Sequence, residues 1–392
     1  MTIELSNITF TAQDDIVPPS GVEPIFNTGV SNTLAGNDIL TGTWTTISDG
    51  IIIDPSKYSS GAIIGFYNTG TLNTADGNDI IRGIIQNSTL GGYFNAAFYH
   101  EVGTIDTGDG DDTILGSNSQ DEVGYGIFMS EGTTIDTGRG DDIITGIDQA
   151  PGGGLSLSGS IITGDGNDTI TGIGGVGLYH NGNIDTGNGN DIITGTGRAG
   201  FQNFSTITTS NGNDIITGTG TEGGILNDDE AFSLGTISTG DGDDTITGTS
   251  TNAFGISNNS QFSIINTGNG NDVITAISSF GINNQGTIDT GNGNDSLISD
   301  GGFSSGFTKG RVFLGSGRDY LKGFGEGIFN GGNGQDTLEL TPGSYTVGIS
   351  ETTVNFINGS SIMKTSDFEI LIAGNTTYHI RRLTEGQTIF VA

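Results

Sequence analysis

The chain has 392 residues, including 71 glycines and no cysteine, and carries a formal charge of -34 at pH 7. So acidic a surface repels nucleic acid and anionic membranes, which excludes both as expected partners. Three histidines without cysteine disfavour a zinc or copper site, and no run reaches the roughly 18 apolar residues of a membrane-spanning helix.

Residues 1–30 precede the repeated part of the chain and are expected to form an N-terminal cap. The segment from Met1 to Ile16 lacks the basic region and the apolar stretch of a secretory signal peptide. Taken alone, this N-terminal segment therefore predicts a cytosolic protein.

Residues 31–336 contain twelve copies of the pattern Thr-Gly-Xaa-Gly-(Asn/Asp)-Asp-Xaa-Ile-Xaa-Gly or a close variant. In every copy a glycine lies two residues before the aspartate at the sixth position of the pattern, and Ile or Leu lies two residues after that aspartate. The pattern predicts a recurring tight turn with one carboxylate at a fixed place and one apolar side chain in the core. The aspartates are Asp38, Asp79, Asp112, Asp142, Asp168, Asp191, Asp214, Asp244, Asp272, Asp295, Asp319 and Asp336.

The chemistry of these turns favours a hard cation. Glycine at the second and fourth positions permits positive φ, and Asn at the fifth position tolerates the same geometry, so backbone carbonyls can converge. Carbonyl and carboxylate oxygens suit calcium, which accepts six to eight oxygens in flexible geometry. Multiple Ca²⁺ ions are therefore the predicted cofactor, and no other cofactor is expected.

The repeat resembles the RTX family, the hemolysin-type calcium-binding repeats with the nonapeptide G-G-x-G-x-D-x-U-x. The copy from Gly331 to Glu339 matches every defined position, and most others, such as Thr163 to Thr171, begin with Thr. The resemblance implies that the twelve aspartates are side-chain ligands and that the glycine-rich turns donate carbonyls. The glycines concerned are Gly108, Gly110, Gly138, Gly140, Gly164, Gly166, Gly187, Gly189, Gly212, Gly240, Gly242, Gly268, Gly270, Gly291, Gly293, Gly315, Gly317, Gly332 and Gly334.

The spacing of the aspartates differs from tandem nonapeptides and repeatedly takes the value of 23 residues, as from Asp168 to Asp191. This predicts a coil that reads strand, turn, strand, calcium turn, strand. The expected fold is an all-β, right-handed parallel β-solenoid (β-helix or β-roll) with the calcium turns on one edge and a small β cap at the C-terminal end. Interior ladders are expected from Ile105, Ile135, Ile184, Ile207 and Ile288, and from Phe201, Phe254 and Phe280.

Longer intervals between turns predict loops at 44–60, 87–97 and 227–230. Residues 337–392 lose the repeat and contain strand-like stretches, which predicts a C-terminal cap. The RTX resemblance implies that this segment also holds an uncleaved signal for a type I secretion machinery.

The sequence contains no catalytic constellation. Enzymes that act on polyuronates cluster cationic side chains around the substrate carboxylates, but only Lys57, Arg82, Arg139 and Arg198 are basic before residue 300. His100 and His180 are expected to join a stacked polar ladder at the corner that contains Asn68, Asn203 and Asn284.

Columns of threonine flank the turns, as at Thr107 and Thr145, and are ordinary strand formers. The ice-binding solenoids among RTX-type proteins place Thr in the middle of the calcium turn, where this chain has residues such as Asp109 and Arg139. Ice binding is therefore disfavoured.

The sequence predicts a secreted calcium-binding repeat protein that folds on calcium and has a structural or binding role at the cell surface or in the extracellular matrix. Its expected partners are calcium ions, an extracellular polysaccharide or cell-surface component, and the type I secretion machinery that the resemblance implies. Two alternatives stay open. One is a polysaccharide-active β-helix enzyme of the lyase or epimerase kind, and the other is a calcium-dependent accessory module of a partner protein.

Overall fold

A computed structural model describes residues 2–18, 23–44, 62–86, 94–119, 123–227, 234–305 and 309–392. Across these residues the regular structure is β-strand apart from two short 3₁₀ helices, Leu5–Asn7 and Ile380–Arg382. None of the helices in this part of the chain is long and apolar enough to cross a membrane. The chain forms two compact units, Met1–Gln202 and Asn203–Ala392.

In the first unit each coil contributes a short strand before the Gly-Asp turn, a strand after it, and a far strand on the opposite side. The pre-turn strands are Val30–Asn32, Thr71–Asn73, Thr104–Asp106, Thr134–Asp136, Ser160–Ile162 and Asn183–Asp185. The post-turn strands are Ile16–Val17, Ile39–Trp44, Ile80–Ile85, Thr113–Asn118, Ile143–Asp148, Thr169–Ile173 and the long strand Ile192–Asn203. The far strands are Ile3–Glu4, Ile25–Asn27, Ala62–Asn68, Phe94–His100, Tyr125–Met129, Gly153–Leu157 and Val176–His180.

The second unit repeats the same three-strand coil. Its pre-turn strands are Thr206–Thr208, Thr236–Ser238, Ile264–Asn266, Thr287–Asp289, Arg311–Phe313 and Gly327–Asn330. Its post-turn strands are Ile215–Asn227, Thr245–Ser250, Val273–Ile277, Ser296–Ser299, Tyr320–Lys322 and Thr337–Leu340, and its far strands are Ile256–Asn258, Ile282–Asn284 and Phe303–Ser304. Two further strands, Ser316–Gly317 and Asn333–Gly334, lie within turns.

Equivalent strands of successive coils pair in parallel and in exact repeat register, as in Ile105 with Ile135 and Ile114 with Ile144. Because side chains alternate across a strand, the isoleucines at these positions all point inward, and all four are fully buried. This arrangement confirms the predicted parallel β-solenoid.

The interior of the coil is narrow where the post-turn strand and the far strand come into direct backbone contact. A Cβ atom placed on Gly116 would lie 2.1 Å from the carbonyl oxygen of Gly126, and one on Gly172 would lie 2.0 Å from that of Gly177. Glycine recurs here because any side chain would push the two strands apart.

The expected aromatic ladder is only partly correct. Phe201 is fully buried, but Phe280 is 48% exposed and packs against Phe254 with 5.9 Å between ring centroids. The difference arises from the number of residues that separate each phenylalanine from the asparagine at the corner of its coil. Phe201 lies two residues before Asn203, whereas Phe280 lies four residues before Asn284, and Ile282 takes the inward position.

The C-terminal cap consists of antiparallel strands added to the parallel coils. Its strands are Gly343–Ile349, Val354–Asn358, Ser361–Ser366, Ile370–Ala373, Thr376–His379 and Thr388–Val391. Ser361–Ser366 and Ile370–Ala373 pair in parallel with Gly327–Asn330 and Thr337–Leu340, which anchors the cap on the last coil.

Two of the three expected loops fall on residues that the structure leaves undescribed, namely 45–60 and 228–230. The third was predicted too long, because Phe94 to Ala97 belong to the far strand Phe94–His100 and only residues 87–93 lie outside the described residues. The strand extends this far because Ala96 and Phe98 continue the register of Ile64 and Phe66.

Candidate metal centre

The Gly-Asp turns share one backbone geometry. Glycines at the second position have positive φ, such as 87° at Gly108, and those at the fourth position have larger values, such as 152° at Gly110. The three residues that replace glycine at the second position keep the left-handed conformation, with φ of 68° at Leu34, 60° at Ala75 and 65° at Ser210. Stacking between coils therefore imposes the turn geometry even where the local sequence disfavours it.

Glycine is also required because neighbouring turns approach closely. A Cβ atom on Gly110 would lie 1.9 Å from the carbonyl oxygen of Gly77 in the preceding turn, and one on Gly242 would lie 1.8 Å from that of Gly212. The carbonyls of one turn thus occupy the space that a side chain of the next turn would fill. The result is a narrow edge lined by stacked backbone oxygens.

The motif aspartates form a hydrogen-bonded ladder along this edge. The N–H of Asp79 donates to Oδ1 of Asp112 at 2.7 Å, and the N–H of Asp112 donates to Oδ1 of Asp142 at 2.8 Å. The same bond joins Asp142 to Asp168 and, in the second unit, Asp244 to Asp272. One carboxylate oxygen of each aspartate therefore fixes the register of adjacent coils.

A second ladder runs the opposite way at the fifth position of the turn. The N–H of Asp141 donates to Oδ1 of Asp111 at 3.0 Å, and the N–H of Asn167 donates to Oδ1 of Asp141 at 2.7 Å. These side chains are exposed. The outer ladder needs only an amide or carboxylate oxygen, which explains why either Asn or Asp is found there in most copies.

The motif aspartates form the inner ladder through Oδ1, and their second carboxylate oxygen, Oδ2, has a different environment. In ten of the twelve motif aspartates, Oδ2 is buried and lacks a hydrogen bond of regular geometry, although the hydroxyl of the turn threonine lies beside the carboxyl in eight of them, as Thr107 does beside Asp112. The ten are Asp38, Asp79, Asp112, Asp142, Asp168, Asp244, Asp272, Asp295, Asp319 and Asp336. In the other two, Oδ2 of Asp191 accepts from Oγ1 of Thr186 and Oδ2 of Asp214 accepts from Oγ1 of Thr209, each at 2.5 Å.

Burial raises the pKa of the ladder carboxyls because a charged group loses its hydration. This desolvation raises the pKa of Asp112 to about 8, and that of Asp142, Asp244 and Asp319 to about 7. Neighbouring aspartates add a smaller repulsion in each case. A row of buried acids with unpaired oxygens is a costly arrangement without positive charge beside it.

The donor set fits a hard divalent cation. Each turn offers a buried Oδ2 and a stack of carbonyl oxygens, which are ligands that calcium accepts. No group of three or more His, Cys, Asp or Glu side chains placed to hold a metal ion occurs in the described part of the chain. An ion on this edge would therefore take most of its oxygens from the backbone.

The hydrogen-bond ladder of the first unit extends before its first motif, and that of the second unit extends past its last motif. At the N-terminal end the N–H of Asp15 donates to Oδ1 of Asp38 at 2.8 Å, and Val17 pairs in register with Leu40. At the other end the N–H of Asp336 donates to Oε2 of Glu369 at 3.0 Å. Sequence reasoning missed both. Asp14-Asp15-Ile16-Val17 does carry half of the motif, but Gln13 stands where the turn glycine is expected.

Thr11 explains how the first degenerate turn closes. Its backbone N–H donates to Oδ2 of Asp15 at 2.8 Å, so both oxygens of this carboxylate interact with the chain. Asp15 thus ends the column with a carboxylate that its own turn satisfies.

The polar ladder predicted at the far corner is confirmed for the residues with measured contacts. Nδ2 of Asn27 donates to Oδ1 of Asn68 at 2.7 Å, and Nδ2 of Asn68 lies 3.0 Å from Nδ1 of His100. In the second unit Asn203, Asn227, Asn258 and Asn284 form the same chain at 2.8 to 2.9 Å. Histidine here is a structural member of the corner.

The described basic residues before residue 300 do not cluster. Arg139 lies on the turn edge and contacts Asp109 at 3.4 Å and Asp165 at 3.8 Å, while Arg82 and Arg198 lie on other coils. Lys57 lies outside the described residues.

No family model matches this sequence, and no curated protein matches it. One similar solved structure is described as a hyperactive, Ca²⁺-dependent, β-helical antifreeze protein from an Antarctic bacterium. It is 17% identical, the TM-score is 0.45, and the alignment covers 96% of this chain and 93% of that chain. Similarity at this level transfers no function, and the RTX resemblance stays a prediction from the motif.

Proposed function

We propose that this protein binds a column of calcium ions along the edge formed by its Gly-Asp turns and folds as it does so. The twelve motif aspartates would supply carboxylate oxygens, and the turn glycines would supply carbonyl oxygens. The observation that carries the proposal is the row of ten buried Oδ2 atoms that lack a hydrogen bond of regular geometry. Calcium would neutralise these carboxylates and offset the cost of their burial.

The chain's own residues prepare the edge for the ion. The Oδ1 hydrogen bonds hold successive carboxylates in register, roughly 4.8 Å apart along the stack, and the glycines keep the carbonyls free of obstruction. Each coil has one such turn, so the ions are expected in a single column. The hydrogen bonds to Oδ1 therefore position the carboxylates, while Oδ2 of each carboxylate binds the cation.

A secreted role is the second part of the proposal. The formal charge of -34 suits a calcium-rich exterior, and the resemblance to RTX repeats implies type I secretion through residues 337–392. We place the protein at the cell surface or in the extracellular matrix as a structural or binding element. An accessory role for a partner protein would use the same calcium-dependent fold.

Binding is favoured over turnover of a polysaccharide. A lyase or epimerase needs cations around the substrate carboxylates, and the basic residues described before residue 300, Arg82, Arg139 and Arg198, are too dispersed for that purpose. Lys309 and Arg311 do line one cleft, but the other residues that line it, Gln261, Gln285, Gly286 and Thr287, include no His or Tyr to serve as the base. Binding of a neutral partner does not require these cations.

Ice binding is a second candidate, which one observation favours. On the outer face of the post-turn strands, Thr145, Thr171 and Thr194 are in direct register, as are Thr217, Thr247 and Thr275 in the second unit. Such flat rows of hydroxyl and methyl groups could order water. Thermal hysteresis of the calcium-loaded protein would support this candidate, and its absence would remove it.

Calcium titration tests the main proposal. We expect a largely unfolded chain in chelator and a β-rich, heat-resistant one in millimolar calcium, followed by circular dichroism and small-angle scattering. Magnesium at the same concentration serves as the control, because its octahedral preference suits this edge poorly. Identical spectra in chelator and calcium would refute the proposal.

A further inference from the structure

A shallow groove lies on the outer face of the far strands in the unit Met1–Gln202. Tyr125 from the strand Tyr125–Met129 and Tyr179 from the strand Val176–His180 flank it, and Gly152 and Gly153 form its floor. Its volume is about 290 Å³. The groove is on a different side of the coil from the Gly-Asp turns, so calcium binding does not account for it.

The floor of the groove is flat because side chains do not fit there. A Cβ atom on Gly152 would lie 1.9 Å from the carbonyl oxygen of Gly124, and one on Gly153 would lie 3.0 Å from Cδ1 of Tyr125. The Tyr125 ring therefore lies against the Gly153 backbone of the next coil. This packing holds the ring in place and leaves a smooth surface beside it.

Aromatic rings continue from the groove along the stacking direction. Phe128 lies 4.9 Å from Tyr125 and 5.4 Å from Tyr99, measured between ring centroids, and Phe94 lies 5.8 Å from Tyr125. Tyr99, Phe128, Ser156 and Tyr179 occupy one continuous register on the outer face. Since Phe94, Tyr125 and Phe128 are only partly buried, these rings form a track that suits an extended ligand.

Charge decides which ligand fits. None of the described residues that line the groove carries a charge. Asp148, which is 3% exposed, lies beneath the floor, where the backbone of Gly124, Ala150 and Gly152 hydrogen-bonds to its carboxylate. Its Oδ2 would lie 2.3 Å from a Cβ on Gly152, directly below the floor. Burial, the Asp148 charge and Tyr179 raise the pKa of Tyr125 above its ordinary value. A polyanion would meet this acid and a chain of net charge -34.

We infer that this groove is a binding subsite for a neutral polysaccharide. The apolar face of a hexopyranose ring stacks on Tyr125 and Tyr179, and sugar hydroxyls meet the phenol groups and Ser156. The polymer then follows the aromatic track toward Phe128 and Phe94, which are only partly buried. This inference deepens the proposed binding role and rests on it, because it names the class of partner and the surface that recognises it.

The test uses the full chain in millimolar calcium and affinity gel electrophoresis. The probes are hydroxyethylcellulose, glucomannan, xylan, galactan and dextran as neutral polymers, with alginate as the acidic one. We expect at least one neutral polymer to retard the protein. Tyr125→Ala and Tyr179→Ala should each weaken that retardation about tenfold, whereas Phe280→Ala, which truncates an exposed ring in the other unit, should leave it unchanged. Circular dichroism verifies that each variant is folded.

Three outcomes would overturn the inference: no retardation by any neutral polymer, full retardation of the double variant Tyr125→Ala/Tyr179→Ala, or stronger retardation by alginate than by every neutral polymer. Calcium titration of the same samples separates this inference from the proposed function. A chain that folds on calcium but ignores neutral glycans defeats only the groove assignment. A chain that folds in chelator and still binds through the tyrosines defeats only the calcium assignment.

Discussion

The N–H of Asp112 donates to Oδ1 of Asp142 at 2.8 Å, while Oδ2 of Asp142 is buried and lacks a hydrogen bond of regular geometry. One carboxylate thus has two separable tasks. Its first oxygen fixes the register of adjacent coils, and its second oxygen is available to a cation. An amide in place of the carboxylate keeps the first task and removes the second.

Asp142→Asn should therefore weaken calcium binding without breaking the ladder. We expect the calcium midpoint for folding to rise by at least roughly tenfold, because losing a direct ligand should cost no less than losing an outer-shell partner. The adjacent Asp141→Asn is the matched control. It removes the same charge at an exposed position where Asn167 and Asn190 already stand in the next coils. Equal midpoints for the two variants, measured by circular dichroism, would contradict the ligand assignment.

The raised pKa values predict an unusual pH dependence for the metal-free chain. Burial raises the pKa of Asp112 to about 8 and that of Asp168 to about 6, from an ordinary value of 3.8. A group whose pKa is higher in the folded state contributes stability at low pH and loses it as pH rises through the folded pKa. In chelator, β-structure should therefore increase on acidification from pH 8 to pH 5.

Calcium should reverse that trend, because the ion binds the deprotonated carboxylates and competes with protons. At a fixed calcium concentration near the midpoint, folding should weaken as pH falls from 8 to 5. Circular dichroism at both pH values, with and without chelator, measures the crossover. Curves with the same slope in both conditions would argue against charged ligands on this edge.

A glycine prediction tests the close approach of the turns. Gly110→Ala adds a methyl group where the Gly77 carbonyl oxygen lies 1.9 Å from the Cβ position, at a φ of 152°. Gly132→Ala is the control, because its φ of 78° is also left-handed but no atom lies within 4 Å of the added carbon. The control should lose roughly 1–3 kcal/mol from backbone strain, and Gly110→Ala clearly more. Urea unfolding in calcium measures the free energy of unfolding of both variants. Similar losses would mean that neighbouring turns can move apart to accommodate the methyl group.

The sequence predicts the coil and the edge of the Gly-Asp turns well because both depend on repeated residues, of which only the second-position glycine is replaced, at Leu34, Ala75 and Ser210. The aspartate, its turn glycines and the inward Ile or Leu recur at fixed offsets, so one copy specifies all of them. Phe280 was misplaced because its offset from the corner asparagine differs by two residues from that of Phe201. In a strand region near a bend, local similarity of residue type does not fix the direction of a side chain.

Asp15 and Glu369 lay beyond sequence reasoning for different reasons. Asp15 belongs to a turn in which Gln13 replaces glycine and Thr11 closes the hydrogen bond. Glu369 comes from the cap, where strand direction changes and no repeat exists to align it. The groove at Tyr125 and Tyr179 was also invisible, since its two rings come from coils that are not adjacent in sequence. Only the stacking of coils brings them to one face.

The corner ladder supplies a final prediction, because His100 must be neutral there. Nδ1 of His100 accepts from Nδ2 of Asn68, and its Nε2–H donates to the carbonyl oxygen of Thr134, each at 3.0 Å. Burial lowers the pKa of His100 to about 4. A histidine whose pKa is lower in the folded state than in the unfolded state contributes stability above the unfolded pKa, which is near 6.5. That contribution is lost as pH falls toward 4.

His100→Asn should remove the part of the acid sensitivity that comes from His100, leave the part that comes from protonation of the aspartates, and keep the ladder, since Asn68 and Asn27 already fill the equivalent position in neighbouring coils. His100→Leu should instead cost roughly 1–3 kcal/mol at every pH, because it leaves the Asn68 amide and the Thr134 carbonyl without their partner. Neither variant should shift the calcium midpoint as far as Asp142→Asn does. Thermal unfolding in saturating calcium between pH 7 and pH 4 measures the comparison. A midpoint that moves more for His100→Asn than for Asp142→Asn would mean that the calcium sites have been placed on the wrong edge.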